Sequence, residues 1–108
     1  MKANLRIAAA VCLAAASVSP ALAQDAGAAT FKLKCAMCHG SDGLAATPAG
    51  KVFKAASFLD PAIVKAPDAE LIAVVKNGKN KMPAWAGKLT DDQIAAVVAY
   101  IRTLQKPQ

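Results

Sequence analysis

The hydrophobic and polar positions divide the chain into blocks of different period. Positions 7–16 form an unbroken apolar run of ten, preceded by Lys2 and Arg6 and followed by Ser17, Ser19 and Pro20. From position 25 the pattern turns amphipathic. Residues 25–36 suit a helix, with Gly27 and Phe31 four apart on one face. Residues 40–57 contain three glycines and Pro48 and read as a loop. Pro61 starts one further turn over 62–65. Pro67 and Asp68 open a short helix through Leu71, Ile72, Val74 and Val75, which Gly78 ends. Thr90-Asp91-Asp92-Gln93 is a capping box, and Ile94, Val97, Val98, Ile101 and Leu104 follow at helical spacing until near Lys106 and Pro107. No stretch alternates with a period of two, and no internal repeat is visible. The pattern predicts an all-α domain.

The leading apolar block is too short for a membrane span, which needs about 20 residues. Its basic start, its apolar run and the small residues of Ala21-Leu22-Ala23 read as a secretory signal peptide over 1–23, cut after Ala23. Cys12 leaves with it, since Val11 stands where a lipoprotein signal wants a small residue. The remaining domain, 24–108, carries 18 alanines, and its net charge falls from +6 to +4 without Lys2 and Arg6. So little bulky apolar material in a domain of 85 residues calls for a staple, a metal or a cofactor.

The cysteines identify which. Cys35-Ala36-Met37-Cys38-His39 is the attachment signature of c-type haem. Two thiols one helical turn apart reach the two vinyl groups on one porphyrin edge, and the adjacent His39 supplies an axial imidazole. Three other uses of the spacing fare worse. A thioredoxin-type pair needs a strand–helix unit that the pattern lacks. Zinc needs further ligands, and the exported domain has no other cysteine or histidine beyond this motif. A disulfide across two residues is strained and closes too small a loop to stabilise much. His39 is the only histidine, so bis-histidine ligation within one chain is excluded. Met37 lies inside the attachment loop and Met1 in the signal, which leaves Met82, in Lys81-Met82-Pro83, as the sixth ligand. Pro83 biases Met82 away from helix. Iron with both axial positions filled passes electrons rather than binding substrate.

With Cys35-Ala36-Met37-Cys38-His39-Gly40, Lys81-Met82-Pro83 and the terminal helix through Tyr100 and Ile101, the chain resembles a small bacterial mono-haem class I cytochrome c. The resemblance implies three to five helices wrapped around one covalently attached haem c, the first and last crossing at near right angles. It implies close backbone approach at Gly27, with Phe31 and Tyr100 packed at the crossing. It further implies that the Pro48 carbonyl accepts a hydrogen bond from His39 and that Trp85 lies at the haem rim, its indole within reach of a propionate; an ordinary packing role suits Trp85 equally. Lys32, Lys34, Lys76, Lys79, Lys81 and Lys88 flank the two ligand segments, a distribution suited to redox partners with acidic docking patches or simply to solubility. Nucleic acid and stable membrane insertion are not expected, and nothing demands more than a monomer. The expected function is a soluble periplasmic one-electron carrier. An enzyme or sensor whose Met82 dissociates, or a dedicated subunit of one dehydrogenase or oxidase, are the alternatives.

Overall fold

Local capping chemistry sets where the chain becomes helical. A computed structural model describes residues 20–106. Among them are six helical segments and no strand: α1 Pro20–Lys34, α2 Ala36–His39, α3 Pro48–Phe53, α4 Pro61–Lys65, α5 Asp68–Asn77 and α6 Asp91–Leu104. None of these helices is long and apolar enough to cross a membrane. The capping box forms in full: Gln93 N–H donates to Thr90 Oγ1 at 3.1 Å, and Thr90 N–H to Gln93 Oε1 at 2.8 Å. Asp60 Oδ1 accepts from Ala62 N–H at the start of α4.

Three expectations shift. The first helix begins at Pro20, five residues early, because proline suits the first helical position and the alanines beyond it favour helix. The expected cleavage point after Ala23 therefore falls within its first turn, while the rest of the expected signal, residues 1–19, lies outside the described residues. The stretch 40–57 is not all loop. Thr47 caps α3 with Pro48 as its first residue, a start signal hidden among glycines. With α2 and α3 added, the helical segments number six among the described residues rather than three to five. The all-α class holds.

α6 organises the interior by presenting two apolar stripes. Val97 and Ile101 join Phe31 and Phe58; Ile94 and Val98 join Val75 and Leu89. α1 packs directly on α6. A Cβ on Gly27 would collide with the Ala96 carbonyl, so only glycine permits this approach. The Phe31 ring lies 5.3 Å from Tyr100 and 5.9 Å from Phe58, both in tilted contact. The expected contact of Gly27, Phe31 and Tyr100 is thus present.

Candidate functional site

The cysteine segment follows directly from α1. His39 N–H donates to Cys35 O at 3.0 Å and Gly40 N–H to Ala36 O at 2.8 Å, so residues 35–39 form a helical turn that brings Cys35 and Cys38 to neighbouring positions. Gly40, at φ +78°, ends it in a left-handed conformation natural to glycine. Both thiols are free and half-buried. Burial pushes the Cys35 thiol up to about 11, which keeps it protonated at neutral pH and unlike a thioredoxin nucleophile. No three His, Cys, Asp or Glu side chains gather among the described residues, which counts against zinc.

Thr47 holds this turn from the other side. Its hydroxyl donates to Met37 O at 2.6 Å and approaches Cys38 O at 3.1 Å, while accepting from Gly50 N–H at 2.9 Å. One side chain thereby caps α3 and ties it to the cysteine turn. A Cβ on Gly50 would strike the Cys38 carbonyl, so α3 abuts that turn backbone to backbone.

His39 is fixed by two neighbours. Its Nδ1–H donates to Ala56 O at 2.9 Å, and its ring stacks on Phe58 at 4.7 Å and 22°. A carbonyl only accepts, so the proton sits on Nδ1 and the Nε2 lone pair is free for a metal. Burial holds the imidazole below its ordinary 6.5, and the Ala56 bond opposes this. The structure corrects the expectation for Pro48, whose carbonyl does not take the His39 bond. Pro48 is exposed and opens α3, where a first-turn carbonyl serves the helix itself. The irregular stretch after α3 supplies Ala56 instead.

Met82 comes from a tight turn. Lys79 and Met82 exchange both backbone hydrogen bonds, at 3.2 and 2.9 Å, around Asn80 at φ +53°. Gly78 at φ +75° lets the chain leave α5; a Cβ there would lie 2.7 Å from Met82 O. Trp85 N–H donates to Val75 O at 3.0 Å and Ala86 N–H to Lys76 O at 3.1 Å, fastening the loop back onto α5. Trp85 lies against the cluster of Val75, Leu89, Ile94 and Val98, with Lys88 Nζ 5.6 Å from its ring centroid.

These segments meet at one cleft that is open to solvent. Cys35, His39 and Met82 all line it, and the rest of its wall is apolar, including Phe58, Ile63, Leu71, Val75 and Val97. Cys38 stands one turn from Cys35. Sequence reasoning missed Ala56, Phe58 and Thr47. A backbone carbonyl leaves no trace in residue identity, and Phe58 lay in a stretch without periodicity; Thr47 alone had a signal, as a capping residue before proline.

An apolar cleft lined by a cysteine, an imidazole and a thioether suits a large flat apolar group carrying a metal. The class so defined is the c-type haem proteins. Within it, the chain belongs to the class I cytochrome c family, as a small mono-haem member. A family model described as cytochrome c oxidase, cbb3-type, subunit III matches residues 22–101. The chain is 42% identical over 78 residues to cytochrome c6 of Tetradesmus obliquus, covering 69% of this chain and 83% of that one. It is 42% identical over 85 residues to cytochrome c6 of a Nostoc species, covering 77% and 74%. With cytochrome c6 of Thermosynechococcus vestitus it shares 43% over 88 residues, covering 79% and 76%. The cofactor of the family is covalently bound haem c, and its work is one-electron transfer.

Proposed function

We propose that the chain is an exported, soluble electron carrier in which Cys35 and Cys38 hold haem c through two thioethers while His39 and Met82 occupy the axial positions. The observation that carries this reading is that Cys35, His39 and Met82 line a single apolar cleft and that the His39 Nδ1–H is engaged by Ala56 O, which leaves the Nε2 lone pair unused. When bound, the haem supplies one reversible iron oxidation step. The chain's own residues do the rest. Phe58 and Ala56 orient the imidazole; Ile63, Leu71, Val75 and Val97 keep water from the iron; the paired turn of Lys79 and Met82 presents the thioether. With His39 and Met82 both holding the iron, no ligand position would be left for a substrate, so the protein would act as a carrier and not an enzyme.

Two finer features belong to the same proposal. Residues 1–23 direct export to the periplasm and are removed, so the mature protein isolated from that compartment begins at Gln24. Exposed lysines beside the two ligand segments orient the carrier on acidic patches of its redox partners.

The deciding experiment is an absorption spectrum of the reduced holoprotein with and without carbon monoxide. Sharp c-type bands unchanged by carbon monoxide are expected. Met82→Ala should open the iron to carbon monoxide and lower the reduction potential. Ready binding by the unaltered protein at neutral pH, or an unchanged potential in the variant, would overturn the ligand assignment.

A further inference from the structure

The last turn of α6 carries a hydrogen-bond network outside the haem motif. The Arg102 side chain, only 23% exposed, reaches back over the segment leading into α5. Its Nε–H pairs with Asp68 Oδ1 at 2.8 Å, and one terminal nitrogen donates to Ile63 O at 3.2 Å and to Gln105 Oε1 at 3.0 Å. The other donates to the carbonyl of Ala66, the residue that caps α4. One planar fork thus gathers carbonyls at the end of a short helix, sharing Ile63 O with the Ala66 N–H. Gln105, held through its oxygen by Arg102, has its amide nitrogen directed to Phe58 O at 2.9 Å.

Phe58 is the residue whose ring lies flat against His39. Two positions upstream, Ala56 O accepts the His39 Nδ1–H. Residues 55–57 have no regular secondary structure to hold them in place. Phe58 N–H donates to Gly43 O at 2.8 Å, and the Gln105 amide secures the same residue's carbonyl. We propose that Gln105 and Arg102 are positioning residues for the His39 imidazole: from the end of α6 they fix the backbone whose carbonyl and aromatic ring orient it. A carbonyl drawing on Nδ1–H raises the basicity of Nε2, so a partner to that carbonyl's segment tunes the ligand without touching it.

This inference rests on His39 as the axial ligand, and one NMR experiment on the holoprotein separates the two. Oxidised haem iron shifts the ring protons of a coordinated histidine strongly; unshifted His39 protons would sink the ligand assignment, and this inference with it. Given shifted protons, the exchange rate of the His39 Nδ1–H with solvent reports on its hold. Gln105→Glu keeps the acceptor for Arg102 and loses the donor to Phe58, and Arg102→Lys keeps the charge and loses the fork. Both should speed that exchange about five- to tenfold and raise the reduction potential, a less basic imidazole stabilising ferric iron less. Asp68→Asn removes the ion pair but leaves the carbonyl contacts, and should lower Tm while leaving exchange and potential unchanged. If Gln105→Glu and Arg102→Lys lower Tm with both readouts at their original values, the two residues only stabilise the fold and the proposal fails.

Discussion

The imidazole of His39 shows how much one residue's behaviour depends on positions far from it in the chain. Burial holds it below its ordinary 6.5, so the folded protein resists a proton that the unfolded chain accepts. The unfolded state therefore binds more protons below about pH 6.5, and stability must fall as pH drops through and beneath that value. Iron coordination acts with the same sign, since a protonated imidazole cannot ligate. The urea midpoint of the holoprotein should be lower at pH 5 than at pH 7; equal midpoints would contradict the argument. Thr47 gives a second test. Thr47→Val removes the hydroxyl that serves Met37 O and Gly50 N, at a cost of about 1 kcal/mol, whereas Thr47→Ser keeps it. Denaturant unfolding of the two variants should differ by that amount. That Cys35, His39 and Met82 come together at one cleft was legible in the sequence, because the attachment signature has a fixed spacing and few ligand-type residues exist. The carbonyl that meets Nδ1 was not, since every residue has one. The expectation for Pro48 failed because its placement depends on α3, which a glycine-rich composition concealed.

At the scale of elements, legibility follows the source of the helical signal. α5 and α6 carry both apolar periodicity and end signals, and they fall within a few residues of where the pattern puts them. α3 has six residues, buries only Gly50 and exists chiefly because Thr47 and Pro48 start it. Periodicity is blind to such a segment. The α1–α6 contact depends instead on an absent side chain. Gly27→Val would force the α1 backbone away from Ala96 and Tyr100, part the two helices and disturb the buried Phe31 and Val97. Overpacking of this kind costs about 1–3 kcal/mol, and the thermal midpoint should fall accordingly. Thr90→Ala, by contrast, touches no core residue and removes only the cap of α6, about 1 kcal/mol. A Gly27→Val midpoint equal to that of the parent would show that the helices part without penalty.

For the molecule as a whole, the proposed steering onto a redox partner turns on where charge lies around the cleft. Not every lysine contributes equally. Lys76 is paired with Asp91 at 3.1 Å, and Lys88 lies near the Trp85 face. Lys79 and Lys81 are exposed and bracket the turn that presents Met82, while Lys32 and Lys34 stand exposed just before Cys35. Net charge alone, +6 over the whole chain, does not tell this arrangement from a uniformly basic surface. A local field acts on approach within about a Debye length, roughly 8 Å at physiological ionic strength, so it appears in rates before it appears in equilibria. Oxidation of the reduced holoprotein by an anionic reagent such as ferricyanide should slow as salt is added, and oxidation by a cationic cobalt complex should quicken. Lys79→Glu combined with Lys81→Glu should weaken or reverse both slopes, whereas Lys54→Glu combined with Lys65→Glu makes the same change in net charge at exposed positions outside the ligand segments. If the two double variants alter the salt slopes equally, only total charge matters and the lysines beside Met82 have no steering role. If the first pair alone alters them, electrons leave through the edge of the cleft that those lysines border.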